Sequence, residues 1–369
     1  MPQPLPPADV SPAVSGDGVT AEGETWPSQR HSLRYVGLAP PVSGSAVAVA
    51  PGVQWCRIPL PIDLNHINVW LLATADGCIA VDTGMAVDIG RDEWVAIAAS
   101  VFSSLPLRAV FVTHIHPDHI GLAAWLQQQY RVPVWMSHRT YEQAEQLLSG
   151  KYLANPDSAE AFFHANGVAD VTTLKPMFSA SRLARLASGL PEVERFVADN
   201  EALQLADTWT ALETNGHAEG HLCLNNTSRR VLISGDQVLP TISSNISYSW
   251  RNTDANPLQS FLHSLQRLRG LADDTLVLPS HGIPFRGLQH RVDDLTRHHH
   301  EQLGKVLRAC SEPRNAAELL PTMFRRPLIG MHLFLALGEA LAHLEYLVHA
   351  GELERSEQSG VMRYVAIHH

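Results

Sequence analysis

The sequence predicts an α/β protein with layered sheets, and three features of the chain support this prediction. Short apolar runs typical of strands alternate with longer runs of helical periodicity. Many of the short runs end at a loop rich in Gly, Pro, Asp or His, as strands do at the edge of a sheet. The chain has 369 residues, 45% of them hydrophobic, which is enough for a sizeable core and for two domains.

The first half of the chain alternates strands with helices. The predicted strands are 53–60, 67–73, 78–81, 107–112 and 132–136, and the predicted helices are 94–102 and 120–129. Ala75-Asp76-Gly77 is a turn signal that joins the second and third of these strands as a hairpin. Residues 140–200 are expected to be mostly helical, most clearly over 157–166 and 179–186.

In the second half, strands are predicted first and helices later. The strands are 209–213, 222–225, 230–233 and 275–278, with a helix from Asn256-Pro257 to Arg269 between the last two, because Asn caps helices and Pro fits the first turn. Helices over 293–310, 316–320 and 333–350 and a hairpin over 353–356 and 361–366 follow. This order predicts a winged-helix-like module, so we divide the chain into a flexible tail (1–45), an α/β domain (46–287) and a winged-helix-like domain (288–369).

The composition restricts the partners and the location. A net charge of −10 with only three lysines argues against a nucleic-acid partner, because phosphate binding depends on Lys and Arg. The four cysteines form no C-x-x-C pair and are interpreted as small buried residues. The N-terminus lacks a signal-peptide pattern and no apolar run suggests a membrane span, so we expect a cytoplasmic protein.

One segment carries the strongest chemical signal. Residues 113–119 have the sequence Thr-His-Ile-His-Pro-Asp-His and lie between a predicted strand and a predicted helix. In an extended loop His114 and His116 point the same way, and the following turn presents Asp118 and His119. Imidazoles and carboxylates at this density suit zinc. Further ligands are available at His217, Asp236 and His281, since each follows a predicted strand beside a glycine that permits a tight turn.

With these residues in this order, residues 50 to 290 resemble the metallo-β-lactamase superfamily, whose H-x-H-x-D-H motif is His114 to His119 here. The resemblance implies an αββα four-layer sandwich with two divalent metal ions, zinc first and manganese or iron as alternatives. It assigns His114, His116 and His217 to one ion, Asp118, His119 and His281 to the other, and Asp236 to both. Val81-Asp82-Thr83-Gly84 matches the V-D-T-G element of the family, in which the Asp supports a ligand His.

The C-terminal part carries a second resemblance. Residues 290–369 are similar to the winged-helix-like tail of the β-lactamase-like-2 branch, on the stretch 343–347 followed by Gly351. That branch includes thioesterases and an endoribonuclease. Two departures from related patterns are informative: Ala218 stands where hydroxyacylglutathione hydrolases often have Thr, and Asp236 stands where true β-lactamases of the fold have Cys, Ser or Met. Asp236 therefore argues against β-lactam hydrolysis, and His116 argues for zinc hydrolysis over iron redox chemistry.

The predicted activity is hydrolysis of a small acyl substrate, namely a thioester, an ester or a lactone. Two ions about 3.5–4 Å apart can share a water whose pKa falls from about 15.7 to about 7. The predicted catalytic residues are Asp118, which orients the nucleophile and moves its proton, and Asp82, which fixes the tautomer of a ligand His. The predicted substrate-binding residues are His221, Ser244, Asn245, Tyr248 and Trp250. Tyr248 and Trp250 have an equally plausible interpretation as residues that pack a loop against the core, and His221 has one as a residue that fills space.

Two other functions remain open from the sequence. A phosphodiesterase or ribonuclease would need a basic stripe, for which Arg291, Arg297, Arg308, Arg325 and Arg326 are the candidates. A non-catalytic ligand-binding effector would need no turnover at all. The run His298-His299-His300 is interpreted as a solvated helix face and not as a third metal site. For the C-terminal domain we expect core packing with a lid or dimer role, and a homodimer could form through that domain or the N-terminal arm.

Overall fold

The computed structural model describes residues 33–148, 156–175, 185–250, 255–325 and 327–367. The predicted helix at 179–186 lies mostly outside these residues. Along the described chain the elements are β1 (Arg34–Tyr35), β2 (Val47–Ala50), β3 (Val53–Pro59), β4 (His66–Ala73), β5 (Cys78–Val81), α1 (Asp88–Ile97), β6 (Leu107–Phe111), α2 (Pro117–Ile120), α3 (Ala123–Tyr130), β7 (Val134–Met136), α4 (His138–Leu148), α5 (Pro156–Ala165), β8 (Val193–Phe196), β9 (Ala202–Gln204), β10 (Thr208–Thr214), β11 (His221–Asn226), β12 (Val231–Gly235), α6 (Pro257–Arg269), β13 (Leu276–Pro279), β14 (Phe285–Arg286), α7 (Leu288–Ala309), α8 (Ala316–Met323), α9 (Met331–His349), β15 (Leu353–Gln358) and β16 (Val361–Ala366).

The strands form two large mixed sheets. The first is seven-stranded with the order β2-β3-β4-β5-β6-β7-β8, and its last four strands are parallel to one another. The second is seven-stranded with the order β1-β14-β13-β12-β11-β10-β9, in which β12 and β13 are the parallel pair. In each sheet the parallel strands bring their carboxyl ends to one edge, and this arrangement places the functional loops together.

Three apolar layers separate four layers of secondary structure. Trp55 and Phe111 of the first sheet pack against Trp209 and Leu278 of the second, which forms the layer between the sheets. Neighbouring residues on the same strands, such as Cys56, face the opposite way because side chains alternate along a strand. Helices cover the two outer faces: Trp94 and Ile97 of α1 and Leu126 of α3 cover the first sheet, and Leu258 and Phe261 of α6 with Leu295 of α7 cover the second. The predicted αββα sandwich is therefore confirmed.

The C-terminal region is mainly helical, as predicted. Helices α7, α8 and α9 are followed by β15 and β16, which pair as an antiparallel two-stranded sheet. Asn315 caps α8 with a full capping box: its side chain accepts from Glu318 N, and the Glu318 side chain accepts from Asn315 N. This region shares its core with the second sheet, because Leu337 of α9 lies in the same apolar cluster as Leu232 and Val277.

Part of the segment predicted to be a flexible tail is bound to the α/β domain. Arg34 and Tyr35 form a strand that pairs with Arg286 and Phe285 at the edge of the second sheet. Farther along, Gly44 N donates to the Glu93 carboxylate at 2.6 Å. A strand of two residues is too short to show a periodic pattern, so nothing in the sequence indicates this pairing. Residues 1–32 lie outside the described part of the chain.

Helix α9 is long and apolar enough to cross a membrane by composition, with a mean hydropathy of 1.2. Most of it is buried inside the protein, where Leu337 and Leu341 belong to the core. It is therefore a core helix of the C-terminal region. The four cysteines are buried and free, as the sequence predicted.

Candidate metal centre

The predicted ligands lie at the carboxyl ends of the parallel strands. In the first sheet, β5 leads to Asp82 and β6 leads to the loop and short helix α2 that carry residues 114–119. Pro117 occupies the first turn of α2, where its missing N–H is not needed. In the second sheet, β12 leads to Asp236 and β13 leads to His281, while His217 lies in the turn between β10 and β11. The two sheets thus bring all seven predicted ligands to one edge of the sandwich.

The ligand atoms form two clusters. Those of one cluster all lie within 4.8 Å of one another, and they belong to His114, His116, His217 and Asp236; the other cluster is Asp118, His119 and His281. Asp236 faces both. Its Oδ2 lies 3.4 Å from His217 Nε2, and its Oδ1 lies 3.4 Å from His119 Nε2. The division into two groups and the shared position of Asp236 agree with the assignment that the resemblance implies.

Hydrogen bonds to fixed acceptors orient three of the ligand histidines. His217 Nδ1 donates to the main-chain oxygen of Asn245 at 2.8 Å, and His281 Nδ1 donates to that of His66 at 2.8 Å. His119 Nδ1 donates to Asp82 Oδ2 at 2.8 Å. Because each Nδ1 is held by its acceptor, each Nε2 faces the centre, which is how metal-binding histidines are usually oriented.

These side chains fit divalent cations. His119 Nε2, His281 Nε2 and Asp236 Oδ1 are fully buried and have no hydrogen-bond partner among the described residues. His217 Nε2 lies 3.2 Å from His114 Nε2. Buried acceptors that face one another at this distance repel unless a proton or a cation lies between them. Nitrogen and carboxylate donors in sets of three or four suit divalent metal ions.

The charges of the site are strongly coupled. Burial would raise the pKa of Asp236, but His119 and His281 hold that pKa well below its usual value. Burial would lower the pKa of His119, but Asp82, Asp236 and Asp118 raise it well above its usual value. Burial and the imidazoles around it lower the pKa of His114. The site therefore holds carboxylates as anions and is able to stabilise positive charge.

Asp82 has the supporting position that the resemblance implies. It is buried, its φ is 67°, and its Oδ1 accepts from Thr113 N at 2.8 Å while its Oδ2 accepts from His119. A non-glycine residue in the left-handed region is uncommon, and Asp and Asn tolerate this conformation better than most residues. The turn after β5 thus places the Asp82 carboxylate against Nδ1 of His119, on the side of the ring away from Nε2.

We predict that Asp82→Asn lowers the metal affinity of the cluster formed by Asp118, His119 and His281 by about 10–100-fold. Loss of a group that hydrogen-bonds to a metal ligand has an effect of this size. Asn keeps the left-handed backbone and an acceptor for Thr113, but its amide can meet the His119 Nδ1–H as a second donor. A competition titration with a chromophoric chelator measures the affinity. Asp88→Asn, at an exposed side chain, serves as the control. Unchanged affinity in Asp82→Asn would contradict the supporting role.

His221, expected equally to line the pocket or to fill space, lies beside Asp236. It is fully buried; its Nε2 accepts from Asp236 N at 3.2 Å and its Nδ1 lies 2.8 Å from Thr214 Oγ1. Gly235, with a φ of 52°, makes room for it, since a Cβ there would lie 2.3 Å from His221 Nε2. His221 therefore supports the main chain of Asp236 from beneath.

The other predicted substrate residues follow Asp236. Residues 236–248 form one loop, which we call the ligand loop. Ser244 is buried and its hydroxyl donates to the main-chain oxygen of Asp236. Asn245 orients His217 through its main-chain oxygen. Tyr248 and Trp250 are partly buried against the core, and Trp250 packs on Phe163 with ring centroids 5.6 Å apart. The packing interpretation therefore describes the positions of Tyr248 and Trp250.

Two supporting contacts were missed because main-chain oxygens make them. The main-chain oxygens of His66 and Asn245 accept from His281 and His217. Every residue has such an oxygen, so the residue type does not indicate the contact.

The interpretation of His298-His299-His300 as a solvated face is wrong for its first two members. His298 and His299 are buried, and they lie within 4.8 Å of Glu339 by their ligand atoms. Only His300 of the three is exposed.

The basic stripe is broken in the structure. Arg291 is buried and donates to the main-chain oxygens of Leu239 and Ile242, so it is not part of the surface. Arg297 is paired with Asp294 on the same helix. Arg308 and Arg325 are exposed, and Arg326 lies outside the described residues.

Comparisons with known proteins agree with the geometry. A curated relative described as probable metallo-hydrolase YqjP of Bacillus subtilis is 26% identical over 79% of this chain and 90% of its own length. The human protein described as acyl-coenzyme A thioesterase MBLAC2 is 26% identical over 63% of this chain and 79% of its length.

Solved structures extend the likeness to the whole architecture. A beta-lactamase domain protein from Burkholderia ambifaria has a TM-score of 0.83 and 39% identity over 92% of this chain and 99% of its own. A metallo-beta-lactamase family protein from Thermus thermophilus has a TM-score of 0.75 and 27% identity over 87% of this chain and 100% of its own.

Two family patterns cover most of the described chain. The pattern of the metallo-beta-lactamase-like C-terminal domain matches residues 303–367. The pattern of the metallo-beta-lactamase superfamily matches residues 62–281, which include every predicted ligand and more than half of the chain. This chain therefore belongs to the metallo-beta-lactamase superfamily.

Proposed function

We propose that this metallo-hydrolase holds two zinc ions and hydrolyses the carbonyl group of an acyl substrate, with thioesters first and esters or lactones as the related choices. The observation that carries the proposal is the position of Asp236, whose two oxygens face the two ligand clusters. A carboxylate in this position supports a pair of ions over a single one. The name of the human relative, an acyl-coenzyme A thioesterase, supports the thioester.

The proposed chemistry divides between the ions and the chain. When bound, the ions would supply Lewis-acid polarisation and lower the pKa of water to near neutrality. Asp118 is buried in the site, with its side chain 12% exposed and its Oδ2 3.3 Å from His281 Nε2. In this position its carboxylate can accept one proton from the attacking water. The water oxygen joins the acyl carbon, the carbon–sulfur bond breaks, and Asp118 returns the proton to the leaving sulfur.

The alternative of phosphodiester hydrolysis has less support. The same type of centre can serve that reaction, but the buried Arg291 and the paired Arg297 leave little of the basic stripe it would need. We propose a small acyl substrate, a cytoplasmic location, no membrane association and no nucleic-acid partner. A homodimer through the C-terminal region or the N-terminal arm remains part of the proposal.

The test is a parallel turnover assay of the zinc-loaded protein on acyl thioesters, simple esters, lactones and a bis-nitrophenyl phosphodiester. We expect cleavage of thioesters fastest, with kcat/KM falling roughly tenfold or more for the phosphodiester. Asp236→Ala gives the background from contaminating enzymes. Preferential cleavage of the phosphodiester would overturn the proposed substrate class, and a metal-loaded protein inert toward every substrate would favour a ligand-binding effector.

A further inference from the structure

The ligand loop, residues 236–248, lies between the metal centre and the C-terminal helices. On one side, the loop begins at Asp236, and Asn245 O accepts from His217 Nδ1 at 2.8 Å. On the other side, the loop contacts α9, where Tyr248 N donates to Gly338 O at 3.0 Å. The contact is so close that a Cβ on Gly338 would lie 2.6 Å from Ser247 Oγ. A change in the position of this loop would therefore move Asp236 and the acceptor of His217.

A buried arginine of α7 binds the middle of the loop. Arg291 Nε donates to Leu239 O at 2.6 Å, and Arg291 Nη2 donates to Ile242 O at 2.6 Å. Two donors in the fixed fork of a guanidinium hold two carbonyl groups in one relative orientation. Leu239 and Arg291 are buried, so water cannot readily replace the contact between them.

A chain of buried histidines binds the next residue. His343 Nδ1 donates to Glu339 O at 2.8 Å, which leaves its Nε2 as an acceptor. His299 Nδ1 lies 3.3 Å from that atom and is its donor, so His299 Nε2 accepts from the Ser243 hydroxyl at 3.0 Å. Burial lowers the pKa of His299 well below its usual value and that of His343 to about 4, so both rings are neutral at pH 7. The single direction of these bonds fixes the Ser243 hydroxyl as a donor.

The same histidines offer a competing interpretation. His298, His299 and Glu339 have ligand atoms close enough for a metal ion. However, both ring nitrogens of His299 are engaged, with Ser243 and with His343, so an ion there would break this chain of hydrogen bonds. The observations therefore favour a hydrogen-bonded support for the loop.

We propose that Arg291 and His299 are positioning residues of the metal centre, which act through the ligand loop to hold Asn245 O against His217. This inference rests on the proposed dinuclear centre. It gives the C-terminal region a role in the chemistry without contact with the substrate, and it predicts that the ion held by His114, His116 and His217 depends on the region more than the other ion does.

The experiment compares Arg291→Met, Arg291→Lys and Ser243→Ala with Arg297→Met, a control at an exposed arginine on the same helix. Each protein is loaded with Co²⁺, and release of the ions to a chromophoric chelator is followed in time. We expect one of two ions to leave about 10–100-fold faster in Arg291→Met, with a smaller effect in Ser243→Ala, partial recovery in Arg291→Lys and none in the control.

The outcomes separate the two proposals. Circular dichroism and thermal melting of the metal-free proteins establish that each variant is folded, and Ser243→Ala keeps the test decisive should Arg291→Met fail to fold. Equal release of both ions in folded variants at the wild-type rate overturns the positioning role while leaving the dinuclear centre intact. Failure of the wild type to bind two ions refutes the centre itself. A third ion per chain that Ser243→Ala leaves in place and His299→Ala removes would establish the metal-site interpretation instead.

Discussion

An Asp236→Ala variant is expected to bind neither ion tightly and to lose turnover by more than the roughly 100-fold that removal of an outer partner costs. The reason is that Asp236 Oδ1 and Oδ2 each face a different cluster, so one substitution removes an oxygen from both. Metal content after gel filtration, measured by mass spectrometry, and kcat/KM on the best substrate of the panel are the two measurements.

The fold should survive this change, because His119 keeps its hydrogen bond to Asp82. A far-ultraviolet spectrum like that of the wild type establishes this. Asp88→Ala removes a carboxylate whose side chain is 96% exposed and should change neither metal content nor turnover. His217→Ala serves as a comparison. It removes a ligand from one cluster only, so one ion should remain. Two ions retained in Asp236→Ala would refute the shared position.

Removal of residues 288–369 is expected to leave an aggregated chain. The C-terminal region does not fold against itself alone: Leu295 and Leu337 share an apolar cluster with Leu232, Val277 and Phe285 of the second sheet. Deletion would expose that face of the sheet, and exposed apolar patches of this kind promote association. Analytical ultracentrifugation and intrinsic fluorescence of the truncated chain measure the effect. A monodisperse truncated protein with a native-like spectrum would show that the predicted domain boundary at 287 divides independent units.

A single substitution in the shared core tests its contribution to stability without removing the whole C-terminal region. Leu337→Ala, at a fully buried residue of α9, should lower the free energy of unfolding by about 2–5 kcal/mol. Ile329→Ala, at a residue that is 67% exposed just before that helix, should change it little. Urea unfolding of both proteins gives the comparison, and equal destabilisation by the two substitutions would contradict the shared core.

The residues of the two clusters were predictable because strand ends and glycines mark them. Asp236 and His281 each follow a buried apolar strand, and His114 to His119 form a dense local motif. The helix α7 was interpreted less well, although its signal was present. Its buried positions include Arg291, Leu295, His298, His299, Gln302 and Val306, which follow helical spacing. Several of these buried positions are polar, so hydrophobic periodicity alone placed His298 and His299 on the exposed face.

Other features had no signal of any kind. The pairing of Arg34–Tyr35 with β14 joins two-residue strands that are far apart in the chain. The support of His217 by the Asn245 main chain depends on how α9 places the ligand loop. Tertiary packing determines both, whereas local sequence determines which residue types are available.

The ligands of both clusters come from two sheets, and this has a consequence for how the folded protein persists in a cell. Asp118 and His119 belong to the first sheet and His281 to the second, so tight binding requires the sheets to face each other. A ligand at 1,000 times its dissociation constant stabilises the form that binds it by about 4.1 kcal/mol. On the proposed function, a cell starved of the metal ion is expected to hold less of the folded protein, because proteases degrade the unfolded form.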